Sequence, residues 1–235
     1  MPQPNRFLFG RPVVDLCLLT WAAGVMDALS YLRVGVFTAN MTGNTVILGL
    51  ALVGPGRSHV YDCLLALGAF AAGALIAGLV LVRRRAIADW SHDLTAGVGL
   101  ELPFVMAFSL LWWIFPAHGP FAATAALTST AACALGMQSV AVRRLKISGV
   151  STTFITGTIT TAIIASLEKS DPEAKSKEEV HNSPPLLAGM LAIYGIAAAT
   201  GGALAVSRNP LAAPSAFVPL ILVFLRSLHQ SRPTD

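Results

Sequence analysis

Long apolar segments separated by short polar stretches make up most of this chain. Eight of them occupy residues 14–32, 36–53, 61–82, 97–115, 121–142, 150–167, 186–206 and 211–225. An α-helix of about 20 apolar residues crosses the roughly 30 Å hydrocarbon core of a bilayer, and most of the segments approach that length. Only 12 % of the residues are charged, which is about half the share found in soluble domains. We therefore predict an all-α, polytopic membrane helix bundle that forms a single membrane domain over residues 1–235.

The distribution of positive charge indicates that two of the eight segments do not cross the membrane. If all eight crossed, the 16 Lys and Arg residues would divide eight to eight between the two sides, whereas cytoplasmic loops are normally enriched in Lys and Arg. If the short segments 36–53 and 150–167 instead enter and return, 13 lie on one side and three on the other. This favours about six spans plus two re-entrant or broken segments in a cell-membrane protein. Both termini and the loop at about 168–185 would be cytoplasmic.

The two short segments also resemble each other. When residues 35–46 are placed on residues 149–160, five of the twelve positions are identical. The chain can then be divided into two halves, at about 14–115 and 121–225, each with three spans and one short segment. An odd number of spans places the two halves in opposite orientations, as in the inverted repeats of many transporters.

Polar residues in these segments predict a site near the middle of the membrane. Glycine permits a membrane helix to unwind, and Thr and Asn can satisfy the freed backbone groups. A break at Thr42-Gly43-Asn44 would leave about ten residues, or 15 Å, on each side, which is half the hydrocarbon depth. The candidate residues for binding a substrate or ion are Asp27, Tyr31, Thr38, Asn40, Thr42, Gly43, Asn44, Gln138, Thr152, Thr153, Thr156 and Gly157. The alternative is that these residues only allow helices to pack closely.

Asp27 is the sharpest of these candidates because a charge near the centre of a span costs about 2.5–3.5 kcal/mol on insertion scales. It is interpreted as a proton or cation site or a gate, or alternatively as a carboxyl that locks helix packing. Tyr31, one helical turn further on, could donate a hydrogen bond to it. Gln138 is its counterpart in the second half. Glu101, near the start of an apolar segment, is expected to reach the cytoplasmic interface.

Other functional classes lack a sequence signature. The five histidines fall outside the apolar segments, and no metal-binding, nucleotide-binding or nucleophile motif is present. We therefore predict no enzyme activity, no metal and no cofactor. The basic residues punctuate apolar segments, so no nucleic-acid partner is expected. The predicted partners are the lipid bilayer and a small solute, ion or proton. Small residues four apart, such as Ala69 and Gly73 or Gly195 and Ala199, favour close helix packing and would permit an oligomer.

Three stretches of this sequence resemble the YoaK-like family of uncharacterised integral membrane proteins. They are GVMDALSYLRVGVFTANMTGNTVILGLAL, LGMQSVAVRRL and TTFITGTIT. The resemblance implies an integral membrane protein and supplies no substrate. Together with the predicted midplane site, it leads us to expect a transporter or channel for a small solute or ion. The alternative is a non-transporting membrane protein, such as an assembly or partner-binding subunit.

Overall fold

A computed structural model of the chain describes residues 11–54, 58–83, 90–115, 119–144, 163 and 184–230. Within these ranges the chain is helical and contains no β-strand, which confirms the predicted all-α bundle. Seven helices are described: α1 (Arg11–Val34), α2 (Met41–Val53), α3 (Ser58–Arg83), α4 (Trp90–Ile114), α5 (Phe121–Arg144), α6 (Pro184–Val206) and α7 (Pro214–Gln230).

Five of the six predicted spans correspond to helices long and apolar enough to cross a membrane, namely α1, α3, α4, α5 and α6. The sixth is the 17-residue α7, which contains Pro219. The short segment 36–53 contains the 13-residue α2. Its predicted counterpart at 150–167 lies outside the described residues, except for one helical position at 163.

Burial divides the helices into a centre and a periphery. Most residues of the apolar parts of α1 and α5 are buried, whereas a third or fewer are buried in those of α3, α4 and α6. The exposed side chains on the outer helices are largely apolar, for example Leu75 and Ile196. Since lipid tails would cover such side chains in a bilayer, this distribution fits a membrane bundle whose core is formed around two central helices.

Four of the described helix contacts form two matching pairs. Helix α3 packs on α5 while α6 packs on α1, and α4 packs on α5 while α7 packs on α1. Two further contacts, α1 with α5 and α4 with α7, join equivalent helices of the two halves. This is the pattern that two related halves would produce. The inverted repeat itself stays a prediction.

Glycines permit two of these helix contacts to be very close. A β-carbon on Gly24 of α1 would lie 2.6 Å from the carbonyl oxygen of Tyr194 on α6. At the matching α3–α5 contact, a β-carbon on Gly136 would collide with the carbonyl of Phe70, and one on Gly73 with the carbonyl of Cys133. Gly73 therefore packs against α5 inside the bundle and does not face another molecule.

Contacts between distant segments place the helix ends on two sides of the bundle. Arg33, at the end of α1, donates hydrogen bonds to the carbonyl oxygens of Trp112 and Phe115 at the end of α4. Trp113 of that helix donates to the carbonyl of Pro210, between α6 and α7. At the opposite side, Arg226 of α7 forms a 2.8 Å ion pair with Asp15 near the start of α1.

These contacts fit a segment 36–53 that returns to the side from which it came. Eight complete crossings would place residue 33 and residue 115 on opposite sides, yet Arg33 contacts the carbonyl of Phe115. The ring of His59 at the start of α3 likewise packs against Gly35. The segment from Gly35 to Ser58 therefore leaves one end of the bundle and comes back to it.

Candidate functional site

The candidate site is built around a break in the helical backbone between α1 and α2. Helix α1 ends at Val34, and residues 35–40 are not helical. Gly35 has a φ of +81°, a left-handed conformation that glycine adopts without a steric penalty. Any β-carbon at this position would also lie 2.7 Å from Cε1 of His59. A glycine is thus required both by the backbone conformation and by the neighbouring ring.

The six-residue break folds back along α1 and binds to Asp27. Oδ1 of Asp27 accepts hydrogen bonds from the backbone N–H groups of Thr38 and Ala39, both at 2.6 Å, and from the Thr38 hydroxyl at 3.0 Å. Oδ2 accepts a hydrogen bond of 2.5 Å from the hydroxyl of Tyr194 on α6. One carboxylate therefore joins α1, the backbone of the break and a helix from the second half of the chain.

This arrangement determines what Asp27 can do chemically. Backbone N–H groups only donate hydrogen bonds, so Oδ1 must act as an acceptor and carries no proton. Charge-assisted hydrogen bonds of this kind are roughly twice as strong as neutral ones. Because Asp27 is 2 % exposed and both its oxygens are engaged, its contacts are those of an anchor for the break.

Two asparagines complete the support of the break. Asn44 is fully buried, and its side-chain amide accepts from the N–H of Phe37 at 2.8 Å and donates to the carbonyl of the same residue at 2.7 Å. Asn40 is the N-cap of α2, where its Oδ1 accepts from the N–H of Gly43. The ring of Tyr31 stacks on Phe37 with centroids 4.7 Å apart. Hydrogen bonds within the TANMTGN stretch and to Phe37 thus stabilise this turn.

The structure corrects the predicted position of the break. Thr42, Gly43 and Asn44 belong to the first turn of α2, and the unwound residues are 35–40. Asn40 starts the helix at the next residue because its side chain caps the free N–H of Gly43. A break centred on residue 43 with two helical halves of about ten residues was therefore wrong.

Two further expectations about individual residues were wrong. The side chain of Tyr31 is 48 % exposed and stacks on Phe37, while the tyrosine that donates to Asp27 is Tyr194. Glu101 does not reach the interface, because it is completely buried in the bundle. Tyr194 lies 167 residues from Asp27 in sequence, and its sequence signal is weak: it and Thr200 carry the two hydroxyls of a largely apolar helix.

The other predicted site residues are divided between several locations. Thr38 is buried at Asp27, whereas the side chains of Asn40 and Thr42 are exposed at the start of α2. Gln138 of α5 is buried and donates to the carbonyl of Leu19 on α1 at 3.1 Å. Thr152, Thr153, Thr156 and Gly157 lie outside the described residues.

A family model described as "Protein of unknown function (DUF1275)" matches residues 16–226. The chain belongs to this family. The DUF1275 chain is also similar to UPF0700 transmembrane protein YoaK of Bacillus subtilis (strain 168), with 36 % identity over 145 residues. The matched region spans 61 % of this chain and 62 % of that protein. No solved structure matches.

Family membership and the apolar helices together establish a multi-pass integral membrane protein. The break of this DUF1275 chain folds back along α1 from the end of that helix. Asp27 precedes the end of α1 by seven residues, which is about 10 Å along the helix. Because Thr38 and Ala39 bind Asp27, the start of α2 lies at a similar depth. Among the described residues, no group of three or more His, Cys, Asp or Glu side chains could hold a metal ion.

Proposed function

We propose that this DUF1275 protein is a transporter or channel for a small solute or ion and that the start of α2 forms part of its polar site. One observation carries the proposal: the side chains of Asn40 and Thr42 are exposed at a depth of about 10 Å below the end of α1. Irregular backbone at membrane depth is tolerated where it is buried in protein or lines a water-filled cavity. Exposed polar side chains beside such a break favour the cavity.

The chemistry of this site suits a small polar ligand. The amide of Asn40 and the hydroxyl of Thr42 can both donate and accept hydrogen bonds. The start of a helix adds the partial positive charge of its dipole. Asp27 is occupied by the four bonds described above, so its role in the proposal is to hold α2 in place, and ligand contacts belong to Asn40 and Thr42.

A cysteine accessibility experiment tests the cavity without knowledge of the solute. Cys17, Cys63 and Cys133 are first replaced by alanine, and Thr42→Cys is then treated with a charged, membrane-impermeant thiol reagent in proteoliposomes. A matched control is Leu64→Cys, because Leu64 is exposed on α3 and lies six residues, or about 9 Å, from the start of that helix. We expect labelling at residue 42 at least ten times faster than at residue 64.

Flux measurements then test transport through the site. Vesicles containing the protein are assayed for swelling in glycerol and urea and for uptake of K⁺ and H⁺. Thr42→Val should reduce the flux of the conducted probe, whereas Thr200→Val should not, because the hydroxyl of Thr200 donates to the carbonyl of Ile196 within α6. Equal fluxes in both variants would exclude Thr42 from the pathway.

The saturated contacts of Asp27 and Asn44 support the second candidate, a non-transporting membrane protein. In that case the polar stretch fixes the shape of the turn, and a partner protein would recognise the bundle. The labelling experiment separates the two functions, because a start of α2 in dry contact with protein or lipid would leave Thr42→Cys as slow to react as Leu64→Cys.

A further inference from the structure

Glu101 is a second acid inside the bundle, and its surroundings differ entirely from those of Asp27. It is fully buried, and both carboxyl oxygens lack a hydrogen-bond partner among the described residues. It lies 11 residues after Trp90 and 13 before Ile114, which places it about 16 to 20 Å along the helix from either end of α4. An acid at such a depth is a functional candidate by default.

The face of α4 that contains Glu101 is otherwise apolar and packed. Leu94, Val98, Val105 and Phe108 share this face at helical spacing and are buried. Gly97, one turn earlier, contacts Ala141 of α5, where a β-carbon would lie 2.5 Å from that of Ala141. Helices α4 and α5 run antiparallel, and Gly97 faces Ala141. Four residues further along α4, Glu101 therefore lies level with residue 137 of α5, beside Gln138.

The helices packed against α4 bring no cation to Glu101 within the described residues. On α5, Arg143 is six residues beyond that level, about 9 Å along the helix axis. On α7, the contact between Gly99 and Phe224 places Arg226 about 6 Å beyond the level of Glu101, and Arg226 is paired with Asp15. The ionisable residues of α3 are at its two ends: His59, Tyr61, Asp62, Cys63 and Arg83.

Buried hydroxyl groups lie on the same inner surfaces, nearer to the Arg33 side of the bundle. The hydroxyls of Ser30 on α1, Ser109 on α4 and Thr128 on α5 are buried and have no hydrogen-bond partner in the described part of the chain. The Gly97–Ala141 contact and the Gln138–Leu19 hydrogen bond place all three at about one level. That level is about 12 Å from Glu101 along α4. Hydroxyls both donate and accept hydrogen bonds, so each of the three can bind a water molecule.

We propose that Glu101 binds and releases a proton during transport and thereby couples the movement of the solute or ion to H⁺. The proton comes from water and returns to it. A proton fits the site better than a metal cation, because Ca²⁺ requires about six to eight oxygen ligands and Glu101 is a lone carboxyl. The coupling role rests on the proposed transport function, whereas proton binding by Glu101 can be measured without it.

Infrared difference spectroscopy of the protein in bilayers tests the proton site. Spectra recorded over a pH series should contain the C=O stretching band of a protonated carboxyl, and this band should shift when H₂O is replaced by D₂O. Glu101→Gln should remove the band. Asp62→Asn is the matched control and should retain it. If Glu101→Gln does not fold, Glu101→Asp should move the frequency of the band and so assign it to this position.

Two results would overturn the inference. One is a set of carboxyl bands that is the same in the wild type and Glu101→Gln. The other is a Glu101 band that responds neither to pH nor to D₂O, as expected of a side chain that only fills space. A responsive band together with slow labelling of Thr42→Cys would retain the proton site and refute the proposed transport site. Fast labelling of Thr42→Cys without the Glu101 band would support the proposed transport site and refute the proton site.

Discussion

Removing the carboxylate of Asp27 should release the break from α1 and strongly destabilise the fold. In Asp27→Ala, the N–H groups of Thr38 and Ala39 and the hydroxyls of Thr38 and Tyr194 lose their common acceptor. Each buried donor left without a partner costs about 1–3 kcal/mol. The two backbone groups cannot turn elsewhere and contribute about 2–6 kcal/mol. We expect a total loss of about 3–6 kcal/mol in the free energy of unfolding, since the hydroxyls can partly rotate to new acceptors.

Conservative variants separate the anchor from the rest of the site. Asp27→Asn keeps an acceptor oxygen for the two N–H groups but removes the charge, so the loss should be smaller, about 1–3 kcal/mol. Tyr194→Phe and Thr38→Val each remove one hydroxyl and should cost about 1 kcal/mol. Unfolding by sodium dodecyl sulfate in mixed micelles, followed by circular dichroism, measures all four. If Asp27→Ala cost no more than Tyr194→Phe, the two backbone hydrogen bonds would not hold the break and our account of Asp27 would be wrong.

Two further predictions concern packing and charge. Gly136→Ala should force α3 and α5 apart, because the new β-carbon meets the carbonyl of Phe70, and should cost about 1–3 kcal/mol in the same unfolding assay. Gly68→Ala has open space and should be neutral or slightly stabilising, so equal losses in both would contradict the close contact. Arg226→Gln strands Asp15, which is 1 % exposed, and should cost about 1–3 kcal/mol, less than a fully buried pair because Arg226 is 38 % exposed. The double variant with Asp15→Asn should recover most of that loss, and no recovery would mean that the two side chains act independently.

The helix arrangement could be predicted because it depends on signals that are local in sequence. Long apolar segments mark the spans, and the placement of basic residues marks the sides of the membrane. Arg33 was assigned to the less basic side, and it lies at the end of α1 beside the carbonyl oxygens of Trp112 and Phe115 at the end of α4. Which side of the membrane this is stays a prediction. The short α2 was distinguishable because its polar residues and its length are unsuited to a span.

The contacts within the site could not be predicted in the same way. Asp27 and the TANMTGN stretch were selected correctly as unusual polar residues, but their composition does not specify which donor meets which acceptor. The break lies at residues 35–40 instead of at Gly43 because the side chain of Asn40 caps the start of α2. Tyr194 reaches Asp27 because α6 packs on α1. The sequence around Asp27 does not predict that contact.

Asp27 and Glu101 were compared by depth alone, and the structure adds the hydrogen-bond donors around each carboxyl. Depth alone put Asp27 first, since Glu101 lies close to the start of its apolar segment. In the structure, α4 begins at Trp90, so Glu101 lies near the middle of its helix, where its oxygens meet no donor among the described residues. A proton added to Oδ1 of Asp27 would compete with two backbone N–H donors, and one added to Oδ2 would reverse the hydrogen bond with the Tyr194 hydroxyl. A proton added to Glu101 displaces no hydrogen bond within the described residues and removes an unpaired charge from an apolar core. The proposed proton cycle is therefore assigned to Glu101, whereas the hydrogen bonds of Asp27 hold the backbone of the break.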